Sequence, residues 1–213
     1  MLEVFLASLV TFFVVIDPPG VTPMFATLTQ DMPPSWRRLM AWKSVVIAAG
    51  VLFGFALGGE WVLTQLHVSL DSFRIAGGLL LFLIALDMLF ETRTQRRQAR
   101  NAKVLEERRA HPGELEDISV FPLAIPLIAG PGSIASIMLL FSQHADWTAR
   151  AAVLAGASIN LILTLVVFLI AARVSQLMSA TLAAIVTKVF GILLAALAAQ
   201  FVVDGVKGAF GLG

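Results

Sequence analysis

The chain is 213 residues long, 58% hydrophobic and 14% charged, and contains no cysteine; its mean hydropathy is +0.89. A soluble domain carries roughly 25% charged residues, so this chain lacks the polar surface of one, and the missing cysteines remove disulfides, thiolate nucleophiles and Cys-based metal sites together. Its 15 Lys and Arg against 14 Asp and Glu leave a net charge of +1, which offers nucleic acid no basic face. The composition is that of an integral membrane protein.

A membrane helix needs about 20 mostly apolar residues. Six runs qualify, at roughly 2–29, 44–66, 73–91, 118–142, 149–172 and 182–204. They are continuous rather than alternating, so the fold is all-α and not a β-barrel. The first run starts Met1-Leu2-Glu3, acidic where a secretory signal is basic, and is expected to be a retained span. Asp17-Pro18-Pro19-Gly20 interrupts it, and Pro23 extends the disruption. Arg37, Arg38 and Lys43 follow in the first connection. The second run carries Gly50, Gly54 and Gly58 at four-residue spacing, a small-residue face expected to serve internal packing rather than a dimer. The third opens at Arg74 and ends near Asp87. Stretch 92–117 holds seven Lys and Arg, from Arg93 to Arg109, and reads as a solvated topogenic linker with anionic-lipid contact as the second reading. The fourth run contains Pro122 and Pro126 and breaks at Gly130-Pro131-Gly132-Ser133. Asn160, mid-way along the fifth, suits either ligand contact or an interhelical hydrogen bond. Lys188 opens the sixth and Asp204 lies near its outer end; Arg74 and Lys188 are expected to pair structurally with acids. No two of His67, His111 and His144 lie close enough to suggest a metal pair, and neither metal nor cofactor is expected.

The basic stretch and the basic first connection fall on one side of an alternating thread. Positive charge accumulates on the cytoplasmic face, which puts residues 92–117 inside and both termini outside. Trp36, Trp42, Trp61 and Trp147 fall at span ends, where indoles anchor at the interface. The chain divides into units at 1–91 and 118–213, joined by the 92–117 loop. Ile16-Asp17-Pro18-Pro19-Gly20 corresponds to Ile128-Ala129-Gly130-Pro131-Gly132, and Arg74-Ile75-Ala76-Gly77 to Lys188-Val189-Phe190-Gly191. Three spans per unit require the second copy to enter upside down. The expected architecture is therefore six transmembrane helices as two inverted three-helix repeats, with helices one and four broken.

Leu2 to Ile16 spans about 22 Å as a helix, short of a full crossing, so the first break lies within the membrane. Backbone groups freed by proline are tolerated there only where protein or a water-filled cavity satisfies them, and paired interruptions point to a transporter's binding site. A half-helix starting at Gly132-Ser133 offers free N–H groups and a positive dipole end to a carboxylate. Asp17 can hold an ammonium group or a coupling proton, or merely cap the following half-helix; for an ionisable residue this deep, function is the leading reading. The candidate substrate-binding residues are Asp17, Pro18, Gly20, Gly130, Pro131, Gly132, Ser133 and Asn160.

These same residues carry a resemblance. Asp17-Pro18-Pro19-Gly20-Val21-Thr22-Pro23-Met24-Phe25, Phe73-Arg74-Ile75-Ala76-Gly77-Gly78-Leu79-Leu80-Leu81 and the run from Phe121 to Ser133 resemble the hallmark blocks of the MarC family of membrane proteins. Some members are similar to small neutral amino-acid transporters. The resemblance therefore implies an inner-membrane carrier for glycine, alanine or similar molecules; an exporter is the expected direction, and a coupling H+ or Na+ and a homo-oligomer are possible partners. An intramembrane enzyme is the competing class, but the chain has no HExxH, no GxSxG and no histidine within a span. A regulatory or scaffold membrane protein, the third class, has no need of matched breaks.

Overall fold

A computed structural model describes residues 1–30, 32–90, 117–171 and 180–211. The described residues form α1 (Leu2–Ile16), α2 (Pro18–Leu28), α3 (Pro34–Gln65), α4 (Leu70–Leu89), α5 (Ser119–Ile128), α6 (Pro131–Ser142), α7 (Trp147–Leu169) and α8 (Ala180–Phe210). The protein is an all-α membrane protein. Among the described residues, five helical stretches are long and apolar enough to cross a membrane, one of them the interrupted pair Leu2–Leu28; α5 and α6, bent by 55°, make a sixth as a broken span. The basic stretch 92–117 lies outside the described residues but for Asp117.

Helix ends follow local chemistry. Pro34 occupies the first turn of α3, where its missing N–H costs nothing, so this helix starts ten residues before the apolar run at 44–66. Helix boundary and membrane boundary differ there because Arg37, Arg38 and Lys43 are good helix formers that need only remain in water. Ser69 Oγ accepts from Ser72 N at 3.1 Å to start α4, and Asp146 Oδ2 accepts from Ala149 N at 3.2 Å to start α7. The last helix begins at Ala180, which puts Lys188 well inside it rather than at its start.

Side-chain meetings fix the direction of the spans: Lys43 meets Asp117 and Gly59 meets Met138, so α3 runs parallel to α5–α6, and Glu60 near its end meets Arg150 at the start of α7. Asp71 and Ile75 meet Gly205 and Gly208, while Met88 and Leu89 meet Gly191, so α4 and α8 are antiparallel. Phe13 meets Phe190 where α1 packs on α8, and Leu6 and Leu197 both line the groove between these helices. Ser8 meets Gly156 and Phe25 stacks on Phe168, so α1–α2 runs parallel to α7. Gly77 meets Leu139 and Gly132 meets Ile84, so α6 is antiparallel to α4. The thread alternates, and span pairs one and four and three and six run antiparallel. Pairings also match between halves: α1 lies on α7 as α5 lies on α3, and α2 lies on α7 as α6 lies on α3.

The most extensive pairing, α4 on α8, depends on small residues. A Cβ on Gly78 would come within 2.8 Å of Ala198 O, and one on Gly205 within 2.8 Å of Asp71 O. Without a hydrophobic drive between helices in lipid, close backbone approach is what holds such a pair together. The glycines of the second span behave otherwise: around a Cβ on Gly50, Gly54 or Gly58 there is open space. The expectation of internal packing there is incorrect. Four-residue spacing put the three glycines on one face, but that face of α3 turns away from the bundle, towards lipid.

Candidate functional site: two helix breaks that meet

Asp17 ends one helix and starts the next. The N–H of Asp17 donates to Phe13 O at 2.9 Å, closing α1, and its carbonyl accepts from Val21 N at 3.0 Å, opening α2. Between these bonds Asp17 adopts the left-handed conformation, φ 57° and ψ 61°, which Asp tolerates better than most residues. Its Oδ1 accepts from Gly20 N at 3.1 Å. Pro18 and Pro19 sit in the first turn, where a missing donor is harmless. Pro23 is different: without an N–H it cannot make the usual helical bond to Pro19 O. Thr22 Oγ1 donates to Pro18 O at 2.6 Å, which satisfies that carbonyl from the side.

The second break is wider. Pro122 cannot donate to Ile118 O, and the N–H of Leu123, one residue later, does so at 3.3 Å. The N–H of Ala129 likewise reaches back five residues to Ala124 O at 2.8 Å. This widened coil, with cis peptides before Pro122 and Pro126, ends at Ala129, and α6 starts at Pro131. A Cβ on Gly130 would lie 2.6 Å from Pro126 O, so only glycine lets the chain double back here. Ser133 Oγ donates to Ile128 O at 2.8 Å, tying the two sides of the break together. The first turn of α6 leaves leading N–H groups unpaired within the helix.

The two breaks abut. A Cβ on Gly132 would lie 3.1 Å from Val15 Cγ1 and 2.6 Å from Ile84 Cδ1, which wedges the start of α6 between α4 and the end of α1, two residues before Asp17. Asp17, Pro18, Gly132 and Ser133 are buried, Gly20 and Gly130 half-buried, and Pro131 exposed. The structure thus brings together the expected residues of the two breaks, and Asn160 lies apart from them. The Asn160 amide donates to Leu9 O at 2.9 Å, bonding α7 to α1, about 12 Å along α1 from Asp17. The interhelical bond, one of its two readings, is present.

Sequence reasoning missed a pair of arginines. Arg37 Nη2, in the first turn of α3, donates to Thr29 O at 3.1 Å and Gln30 O at 3.5 Å, just past α2. Arg150 Nε, in the first turn of α7, donates to His144 O at 2.7 Å, just past α6. Each half therefore ends its post-break half-helix under a guanidinium from the next helix, which satisfies carbonyls and opposes the dipole. Arg150 also lies over the Phe141 ring at 4.7 Å and the Trp147 ring at 5.5 Å, and 3.6 Å from Glu60. The signal was a Trp and an Arg at matching distances after each break. Arg74 pairs with Asp71 at 2.9 Å within the first turn of α4, a structural pairing as expected.

Early in α3, Lys43 Nζ lies 2.8 Å from Asp117 Oδ2. That ammonium, with the hydroxyl and N–H of Ser119, holds the Asp117 carboxyl down at about 2. Asp146 is lowered too, by Thr148 and the Ala149 N–H.

The pattern of the MarC family integral membrane proteins matches residues 2–210. A UPF0056 membrane protein of Methanocaldococcus jannaschii is 36% identical over 98% of each chain. YvbG of Bacillus subtilis is 30% identical over 94% of this chain and 93% of its own, and YhcE of Escherichia coli 27% identical over 97% and 94%. No solved structure matches. Length, hallmark blocks and match agree: the chain belongs to the MarC family of integral membrane proteins.

Proposed function

We propose that this protein is a secondary transporter, working as an exporter, of small neutral amino acids or similar small zwitterions. The observation that carries this reading is the contact of Gly132 with Val15, which sets two interrupted spans against one another in the bundle. Interruptions in corresponding spans of two antiparallel units are how many secondary transporters build a midplane site. The two sides are complementary to a zwitterion. The N-terminus of α6 favours a carboxylate, with Gly132 and Gly130 removing side-chain bulk. Asp17 and the carbonyl of Pro19, which Pro23 cannot bond, favour an ammonium group or a coupling H+ or Na+. In this reading the halves are inverted repeats that rock about the meeting point, and each arginine clasp moves its half-helix with the following span.

The chain then works in the plasma membrane, the inner one where there are two, with both termini outside. It is not an enzyme, and a homo-oligomer is compatible with this reading. Radiolabelled alanine or glycine flux in proteoliposomes, with and without a pH or sodium gradient, tests it: gradient-dependent flux supports the reading, and none for any small neutral amino acid defeats it.

A further inference from the structure

Three buried side chains on three mutually packed helices hold oxygen atoms without a hydrogen-bond partner: Ser8 Oγ on α1, Ser136 Oγ on α6 and Asn160 Oδ1 on α7. None of the three residues is more than 1% exposed. Buried oxygens are ordinarily satisfied, by protein or by ordered water, so three on one helix trio call for a guest.

Ser8 and Asn160 share one crossing. Helices α1 and α7 come together at Gly156, where a Cβ would stand 2.8 Å from Ser8 Cβ and 2.9 Å from Leu9 N. One turn on, the Asn160 amide nitrogen donates to Leu9 O and to Gly156 O, both at 2.9 Å, which turns Oδ1 away from the two carbonyls. Ser136 stands nearly level with them by register. Gly132 meets Val15, and α6 runs antiparallel to α1, so Ser136, one turn along α6, is level with Thr11, one turn back along α1. Thr11 is itself buried and donates to Ala7 O at 2.7 Å.

The set is neutral: a primary amide and hydroxyls, with no formal charge. A bare cation here would lose its hydration without a counter-charge. Water instead donates to Asn160 Oδ1 and accepts from the serine hydroxyls. We propose that α1, α6 and α7 enclose a hydrated site built by Ser8, Ser136 and Asn160.

Two measurements test this, and both are made without substrate, so they stand apart from whether amino-acid flux is found. In a dry interface, deleting an unpartnered hydroxyl is neutral or stabilising, whereas water deprived of a partner weakens the fold. Ser8→Ala and Ser136→Ala should each lower the melting temperature, by about 2–4 °C. In this cysteine-free chain, a cysteine at Ser136 in native membranes should react with methyl methanethiosulfonate, which is small and carries no charge. It should do so several-fold faster than one at Ala85, which is equally buried but packs dry against Gly191. Melting temperatures unchanged or raised in both alanine variants, or labelling at 136 no faster than at 85, would overturn the proposal.

Discussion

Gly20 leaves empty the space that the Asp17 carboxylate fills: a Cβ on Gly20 would lie 2.6 Å from Asp17 Cγ. The carboxylate folds over the first turn of α2 to accept from Gly20 N, and only a residue without a side chain permits that. Gly20→Ala should push the carboxylate out and cost about 1 kcal/mol, the worth of an N-cap. Thermal melts of the purified protein check it. Flux should fall with stability, because the displaced group is the one proposed to meet substrate.

Two kinds of glycine should separate cleanly. Gly78→Leu and Gly205→Leu force backbone apart where α4 crosses α8 and should lower folded yield sharply, since overpacking alone costs about 1–3 kcal/mol. Gly54→Leu adds its side chain to open space and should leave the monomeric fold intact. Size-exclusion profiles in detergent distinguish the two; loss of fold in Gly54→Leu would contradict the outward placement of that face.

How much of this was legible in the sequence depends on which physical signal each residue carries. The breaks were, because proline and glycine act on their own backbone: Pro18-Pro19-Gly20 and Gly130-Pro131-Gly132 interrupt a helix whatever surrounds them. The order of spans was legible too, from apolar length. The facing of α3 was not, because four-residue spacing gives a stripe without saying which way it points, and every side of a lipid-embedded helix is apolar. The interhelical bond of Asn160 and the arginine clasps needed tertiary neighbours.

The Lys43–Asp117 pair makes a pH prediction. The folded-state value of Asp117 is depressed to about 2 from 3.8, so its contribution is present above pH 4 and is lost as pH falls towards 2. Both side chains are 45% exposed, so the effect is small and screened by salt. Lys43→Met should melt slightly below the parent at pH 6, and the gap should close as pH falls to 2. A gap independent of pH would mean the pair contributes nothing through Asp117 ionisation.

Topology is open to direct labelling. With no native cysteine, a cysteine at Gln98 should stay unreactive towards an impermeant thiol reagent added outside intact cells and react once the membrane is opened. Reaction in intact cells would invert the orientation derived from the Lys and Arg asymmetry.

The most direct measurement compares Asp17→Asn with the parent in proteoliposomes, following radiolabelled alanine both in exchange and against a gradient. Asn caps a helix about as well as Asp and tolerates the left-handed backbone, so the variant should fold and melt like the parent. It lacks the negative charge and the exchangeable proton. Uphill flux should therefore fail, with exchange surviving if Asp17 serves coupling and failing if Asp17 holds the substrate ammonium. Normal uphill flux in a normally folded Asp17→Asn protein would contradict the proposed role and leave Asp17 as a helix cap alone.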